Sequence, residues 1–276
     1  EAGIDTTLLE TRRVKAVLKA MPVKTDRRDA EGIARLLRMG WFRPVHCKSI
    51  SAQELRALLS TRRALQKAVL DIEQSLRGVL RNFGLKLGPI SKGRYEERVR
   101  ELVSGNIMLE AASQAVLGAR DRLRLELAGV ERQLRDLARQ DHACRLMMTM
   151  PGVGALVALT VRAATDDPSR FRSSRAVGPW TGLTPRREQS GERDIVGHIT
   201  KAGDATLRTA LFNAATVMMH RARPCWLKAW GMQVARRRGQ KRATVAVARR
   251  IGVILHRMWV DGASFRMTRE GNTVAA

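Results

Sequence analysis

Residues 51–83 read SAQELRALLSTRRALQKAVLDIEQSLRGVLRNF. Within this run Leu55, Leu58, Arg62, Leu65, Val69, Ile72, Leu76, Val79 and Phe83 follow one another in alternating steps of three and four. Steps of that size keep one stripe on one side of a helix, so the run predicts a long helix with a heptad seam that is polar only at Arg62. After a loop bearing Gly84, Gly88, Pro89 and Gly93, a second long helix is marked by Val116, Ala119, Leu123, Leu127, Val130, Leu134 and Leu137. Two such seams either close on each other as an antiparallel hairpin or join a second copy of the chain as a dimerising coiled coil. The spacing allows both, and the reading leans slightly towards dimerisation. The fold class follows as mainly α, with a coiled-coil helical domain over residues 49–142.

Towards the N-terminus, residues 1–48 read as one strand and two helices. Ile4 to Leu9 is apolar and β-branched enough for a buried strand. A helix is expected from Thr11 to Ala20, stopped by Pro22, and another from Asp26 to Met39, with Ile33, Leu36 and Leu37 as its apolar face and Gly40 as its stop. One strand cannot make a sheet. Because the chain opens on Glu1 rather than Met, the expectation is a fragment that carries the tail of a larger α/β domain. The second helix opens with KTDRRDA, residues 24–30, where Asp26 and Asp29 stand among Lys24, Arg27 and Arg28. Positions i and i+3 share a helix face, so both carboxylates can address one divalent cation in phosphodiester chemistry. The competing reading makes Thr25 or Asp26 a helix cap and Asp29 an acidic first-turn residue.

Towards the C-terminus, residues 143–276 form a third, mainly helical domain. MTMPGVGALVAL, residues 148–159, places Gly152 and Gly154 in a tight turn ahead of a helix from Leu156. Such a turn is either a plain connection or a phosphate grip of the helix-hairpin-helix kind. Between Gly182 and Asp204 the chain is polar and glycine-bearing, which predicts a long loop or β-hairpin with Ser190-Gly191 at its middle. Arg186, Arg187 and Arg193 flank the serine, and Lys201 and Arg208 lead into the next helix. Ser190 is either a turn residue or a nucleophile on phosphorus, with no histidine obviously paired to it.

Charge selects the partner. The 51 Lys and Arg against 26 Asp and Glu give a net charge of +25. From Ala205 to Val260 there is no acidic residue against twelve basic ones. A solvated helix face mixes signs, so a one-sign stretch of this length points to a polyanion, foremost nucleic acid. Arg236, Arg237, Arg238, Lys241 and Arg242, then Arg249 and Arg250, are the expected phosphate contacts. Trp226, Trp230 and Trp259 read as packing residues or as stacking platforms for unpaired bases, and Met218, Met219 and Ile251 to Leu255 as core. Thr268 to Ala276 reads as a frayed tail. Three cysteines without a CxxC pair exclude a disulfide framework, and no apolar run is long enough for a membrane span. A cytoplasmic, nucleoid-associated protein is expected.

In order along the chain stand KTDRRDA, GWFRPVH, a long helical insert, PGVG, RFRSSRAVGPWTGLTPRREQSGE and ITKAGDATLRTAL. This series resembles the insertion-sequence-110 family of DEDD transposases, over essentially the whole chain. The resemblance implies a RuvC-like, RNase-H-fold nuclease domain, a coiled coil and a C-terminal transposase domain. It implies that Asp26 and Asp29 are the last two carboxylates of a Mg²⁺-binding DEDD set. Ser190 would be the serine that attacks DNA and holds it covalently. It further implies DNA substrates, a structured noncoding guide RNA, and a homo-oligomer, dimer or tetramer, in which one copy's nuclease site serves another's serine. The first Asp and the Glu of the set are expected on strands upstream of Glu1, so residues 1–276 alone are expected to bind nucleic acid without recombining it. The other readings are a hydrolytic junction resolvase and a non-catalytic nucleic-acid-binding remnant.

Overall fold

The structure is a computed structural model that describes residues 3, 6–19, 23–42, 44–91 and 93–268. It is mainly α, as the periodicity predicts, and divides into two compact units, Glu1–Ile50 and Ser51–Ala276.

In the first unit, helix α1 spans Thr11–Leu18 and helix α2 spans Asp26–Arg38. The strand expected over residues 4–9 does not form among the described residues. Thr6 to Leu8 have no regular structure, and Leu9 makes one isolated antiparallel bridge to Pro44. Proline has no N–H to extend a ladder, so the pairing rests on Val45, whose N–H donates to the Leu8 carbonyl at 2.8 Å. Ile4, Ala20 and Pro22 lie outside the described residues. Helix α2 turns Leu36 inward (2% exposed), while Leu37 of the expected apolar face is largely exposed.

The second unit begins with the helical insert. Helix α3 runs Ile50–Asn82, helix α4 Tyr95–Val103 and helix α5 Ile107–Gln140. Helix α4 replaces part of the expected loop; its apolar residues Val99 and Val103 are one helical turn apart and buried. Helices α3 and α5 are antiparallel within one chain. Arg62 pairs with Glu131 at 2.6 Å at one level, and Glu73 with Arg120 at 2.7 Å at the next. The polar break in the heptad seam at Arg62 is thus matched by an acid on the facing helix. The seam does not run to its predicted end: Val79 and Phe83 are exposed, and Leu80 takes the inner position at 0% exposure. A straight α-helix drifts against a seven-residue repeat, and over four repeats the drift brings the neighbouring residue inside.

At the far end of the hairpin Leu76, Leu80, Leu87, Tyr95, Val99 and Leu117 form a small core. Arg120 is buried in it at 1% exposure. Its Nε donates to Glu73, its guanidinium stacks 4.5 Å from the Tyr95 ring centroid, and the Tyr95 hydroxyl donates to the Glu73 carbonyl. Burial first, then the Glu73 carboxylate, push the Tyr95 phenol above its ordinary pKa.

The near end of the hairpin merges into the second core through Leu59, Leu134 and Ala138. Helices α6 (His142–Met147), α7 (Ala155–Thr165), α8 (Val177–Trp180), α9 (Ala205–His220), α10 (Trp226–Arg238) and α11 (Gln240–Asp261) build it. Helix α11 lies at its centre, with Ala243, Val247, Ala248, Ile251 and Leu255 all at 0% exposure. Met218 and Met219 are buried with them, as expected. Each of the three C-terminal tryptophans has a partner for its ring: Trp226 stacks on Phe265, and Trp230 and Trp259 lie under Arg250 and Arg162. No helix among the described residues is long and apolar enough to cross a membrane. Residues 269–276 of the expected tail lie outside the described residues.

Truncating Arg120 to Ala leaves Glu73 partly buried without its cation. We expect this to lower the unfolding free energy by about 3 kcal/mol, with much of the loss recovered when Arg120 and Glu73 are both replaced by Met. Denaturant unfolding of the single and double variants measures both values.

Candidate functional site

Asp26 and Asp29 stand in the first turn of α2, the first exposed and the second half-buried. The cap itself is Thr25, whose Oγ1 accepts from the Arg28 N–H at 3.3 Å. Neither carboxylate is therefore used as the cap, and Lys24, Arg27 and Arg28 are exposed around them. Among the described residues no group of three or more His, Cys, Asp or Glu converges as a metal site, so the carboxylates stand as a pair. A pair still fits Mg²⁺, which commonly takes one or two carboxylates and fills its octahedron with water and phosphate oxygens.

The PGVG turn divides its two glycines between different tasks. Gly152 has φ of 87°, and a Cβ there would lie 2.6 Å from the Ala214 carbonyl oxygen and 3.0 Å from the Met218 nitrogen of α9. It is glycine because the turn presses against the backbone of α9. Gly154 is exposed, N-caps α7 and meets no neighbouring atom.

The serine segment is a β-hairpin. Strand β1 is Pro185–Ser190 and strand β2 is Arg193–Ile199, antiparallel, with Ser190 opposite Arg193 and Gln189 opposite Asp194. Gly191, with φ of 55°, supplies the backbone that the two-residue turn needs. Alternation along the strands puts Arg186, Glu188, Ser190 and Arg193 on one face. Arg187 is on the other face, held bidentately by Asp194 at 2.8 and 2.6 Å. Every residue of both strands except Ile199 is exposed, so Ser190 sits at the tip of an arm with no core of its own.

The base of that arm is fixed tightly. A Cβ on Gly182 (φ 71°) would lie 2.1 Å from the Ala202 carbonyl oxygen, and one on Gly203 (φ 76°) 2.3 Å from that of Trp180. Lys201 holds the left-handed backbone (φ 54°) between them, its N–H donating to the Gly182 carbonyl. Arg208, expected on nucleic acid, donates through Nη1 to the carbonyls of Ala202 at 2.6 Å and Gly203 at 3.0 Å. It is a clamp on the hairpin base. Asp204 caps α9 through the Thr206 and Leu207 N–H groups and meets Arg56 of α3 at 2.9 Å. Burial opposes its charge, but those N–H groups and the Arg56 guanidinium outweigh it and hold its carboxyl below the usual carboxylate range.

Arg236, Arg237, Arg238, Lys241 and Arg242 are all exposed at the corner where α10 gives way to α11. One pairing escaped the sequence reading: His256, buried at 3% exposure, lies 2.9 Å through Nδ1 from Ser174 Oγ and 3.0 Å through Nε2 from the Pro168 carbonyl. A carbonyl only accepts, so Nε2 carries the proton and the Ser174 hydroxyl donates to Nδ1. The pair pins the segment before α8 to α11. The two residues lie 82 positions apart, and no local pattern announces them.

Comparison with known proteins places this geometry in context. Residues 144–230 match the family description "Transposase IS116/IS110/IS902 family", and residues 1–84 match that of the DEDD transposases of IS110 type, described as "Transposase". The chain is 31% identical to the "Transposase for insertion sequence element IS1111A" of Coxiella burnetii, across 96% of the chain and 74% of that protein. It is 28% identical to the "Probable family 20 transposase" of Pseudomonas aeruginosa, across 79% of the chain and 66% of that protein. It is 32% identical to the "Transposase for insertion sequence element IS1328" of Yersinia enterocolitica, across 35% of the chain and 29% of that protein.

Gly182→Ala and Gly203→Ala each force a side chain into backbone. Each is expected to lower stability by about 2 kcal/mol or more, read as a fall in thermal midpoint. The depressed carboxyl of Asp204 gives stability that is complete above the unfolded carboxylate pKa of about 3.9 and is lost as pH falls through its lower folded value. Asp204→Asn is therefore expected to cost stability at neutral pH and to flatten the acid limb of the stability curve, measured by denaturant unfolding between neutral pH and about pH 3.

Proposed function

This chain belongs to the IS116/IS110/IS902 family of transposases, and on that premise we propose that it cuts and rejoins DNA through a carboxylate pair and a serine nucleophile. Asp26 and Asp29 would hold Mg²⁺, which when bound supplies Lewis-acid stabilisation of charge at phosphorus. Ser190 attacks the phosphodiester: its Oγ bonds to phosphorus and one phosphorus–sugar-oxygen bond breaks. The serine proton is balanced by a proton taken up from water on the leaving sugar oxygen, which departs as a hydroxyl while the DNA stays joined to the protein. A sugar hydroxyl attacking that phosphoserine reverses the exchange and joins a new pair of ends, with no net loss of phosphodiester bonds. Arg186 and Arg193, on the same hairpin face as Ser190, offset the developing negative charge.

The observation that carries this reading is the position of Ser190 at the tip of an exposed, almost wholly polar arm whose base is locked by Gly182, Gly203 and Arg208. A structural serine needs no such mounting, whereas a nucleophile that must enter a DNA backbone does. The exposed cations Lys24, Arg27, Arg28, Lys201, Arg236, Arg237, Arg238, Lys241 and Arg242 would grip phosphates without reading bases. Sequence choice then falls to a structured noncoding RNA that pairs with DNA, a division of labour that suits a protein whose exposed cations can hold phosphates of any sequence. The reading includes a homo-oligomer, dimer or tetramer, in which the carboxylates of one copy serve the serine of another, acting on the bacterial nucleoid in the cytoplasm.

The test incubates the protein, in its full-length context, with Mg²⁺, DNA carrying the element ends and transcripts of the flanking noncoding DNA. A denaturation-resistant protein–DNA adduct is expected, lost in Ser190→Ala and in Asp26→Asn/Asp29→Asn. Cleavage that persists in Ser190→Ala without any adduct would mean hydrolytic resolution instead. Salt-sensitive binding without strand breakage would leave a non-catalytic nucleic-acid-binding protein.

A further inference from the structure

Beside the root of the hairpin, where Thr184 precedes β1, a shallow cavity of about 470 Å³ opens between α8 and α11. Three cations line it, Arg175, Arg249 and Arg250, and no carboxylate does. Its apolar wall comes from Pro179, Trp226 and Ile254.

Arg249, Arg250 and Trp226 are held in place by their neighbours. A Cβ on Gly178 would stand 3.3 Å from Arg249 Cγ and 3.8 Å from Val253 Cγ2, so the missing side chain lets α8 settle onto the stem of Arg249 and fix its course. Arg250 lies 3.8 Å from the Trp230 ring centroid, a cation–π contact that holds its place in the wall. Trp226 is anchored twice, its Nε1 donating to the Arg266 carbonyl at 3.1 Å and its ring lying nearly parallel to Phe265. Thr184, also in the lining, has its Oγ1 shielded from solvent with no hydrogen-bond partner. A buried polar atom left unsatisfied marks a place where a ligand group can enter.

The chemistry of the lining narrows the ligand. An anion alone would leave the Pro179, Trp226 and Ile254 wall without a role, and an apolar molecule would make no use of the Arg175 and Arg249 guanidiniums. A nucleotide out of its stack satisfies both, with a phosphate for the guanidinium forks and a flat base for the apolar wall. A base inside a duplex has both faces covered by its neighbours and cannot lie against a wall. We infer that this cavity binds one unpaired nucleotide of a DNA or RNA strand, its phosphate on Arg175 and Arg249 and its base against Trp226. The inference deepens the nucleic-acid-binding part of the function proposed above and rests on it. It gives the protein a grip on strands that have been opened for pairing or exchange, beside the root of the serine arm.

Ultraviolet cross-linking of the full chain to short oligonucleotides carrying 5-iodouracil tests the inference. Single-stranded DNA, single-stranded RNA and the matching duplex serve as separate arms, and cross-linked peptides are mapped by mass spectrometry. The Trp226 peptide is expected to cross-link to a single strand and not to duplex, and the stronger of the DNA and RNA arms identifies the source. Arg175→Gln with Arg249→Gln keeps both stems and removes both charges; it is expected to weaken single-strand binding about ten-fold or more at unchanged thermal midpoint. Trp226→Phe keeps a ring on Phe265 and is expected to reduce the cross-link yield, so the inference stands on a second, milder variant. Cross-links confined to other peptides, or wild-type affinity in the arginine variant, would overturn the cavity while leaving nucleic-acid binding intact. If the unaltered chain binds no oligonucleotide at all, the cavity and the wider reading fall together.

Discussion

Burial of one face of helix α11 is the constraint on which the C-terminal half is organised. Ala243, Val247, Ala248, Ile251 and Leu255 leave no surface to water, and α6, α8, α9 and α10 all pack against that helix. An amphipathic helix with one face wholly inside must put its charged residues on the other. Lys241, Arg242 and Arg249 are therefore displayed because Ala243, Val247 and Ala248 are buried. The cationic surface and the core are two sides of one helix, and a mutation that loosened the inner face would scatter the outer one.

The large positive charge is handled differently in the two halves of the second unit. In the insert, i,i+3 and i,i+4 pairs such as Lys67–Asp71, Arg98–Glu101, Arg100–Glu96 and Arg122–Glu126 neutralise the helix surfaces locally. Each is worth only a few tenths of a kcal/mol, but together they limit self-repulsion along two long helices. From Ala205 to Val260 there is no acid in the sequence to do the same. Repulsion among those cations is a cost to the folded chain that binding of a polyanion relieves. A scaffold that balances itself and a surface that does not is a sensible division for a protein of this family.

The serine arm shows how a rigid mount and an exposed tip are combined. A two-stranded hairpin without a core is marginal by itself. Here its root is held by backbone contacts too close for any side chain at Gly182 or Gly203, and by the Arg208 guanidinium bridging the carbonyls of Ala202 and Gly203. Asp204 and Arg56 then tie the same root to helix α3. Stability is concentrated at the base, and the polar strands are left for contact with something else.

Much of this was legible in the chain. Period-seven spacing settled two long helices and the mainly α class, because side chains three and four apart must share a face whatever surrounds them. The hairpin around Ser190 followed from a polar stretch with glycine at its middle, and the cationic surface from a run without acids. What sequence spacing could not decide was every choice that depends on residues far apart. It did not set the register of the two long helices, which within the chain is antiparallel, with Arg62 against Glu131 and Glu73 against Arg120. It left Gly152 between a plain turn and a phosphate grip and did not show that the glycine is pressed against the backbone of α9, nor that Arg208 donates to the carbonyls of Ala202 and Gly203. It expected a strand where, among the described residues, Leu9 alone pairs, with a proline that cannot continue a ladder. The sequence by itself determined the elements and the sign of the surface, since periodicity and charge are local. Only the tertiary structure decided which charges face solvent, which are spent on carbonyls, and which distant residues meet, because those outcomes depend on packing between segments that the chain order does not bring together.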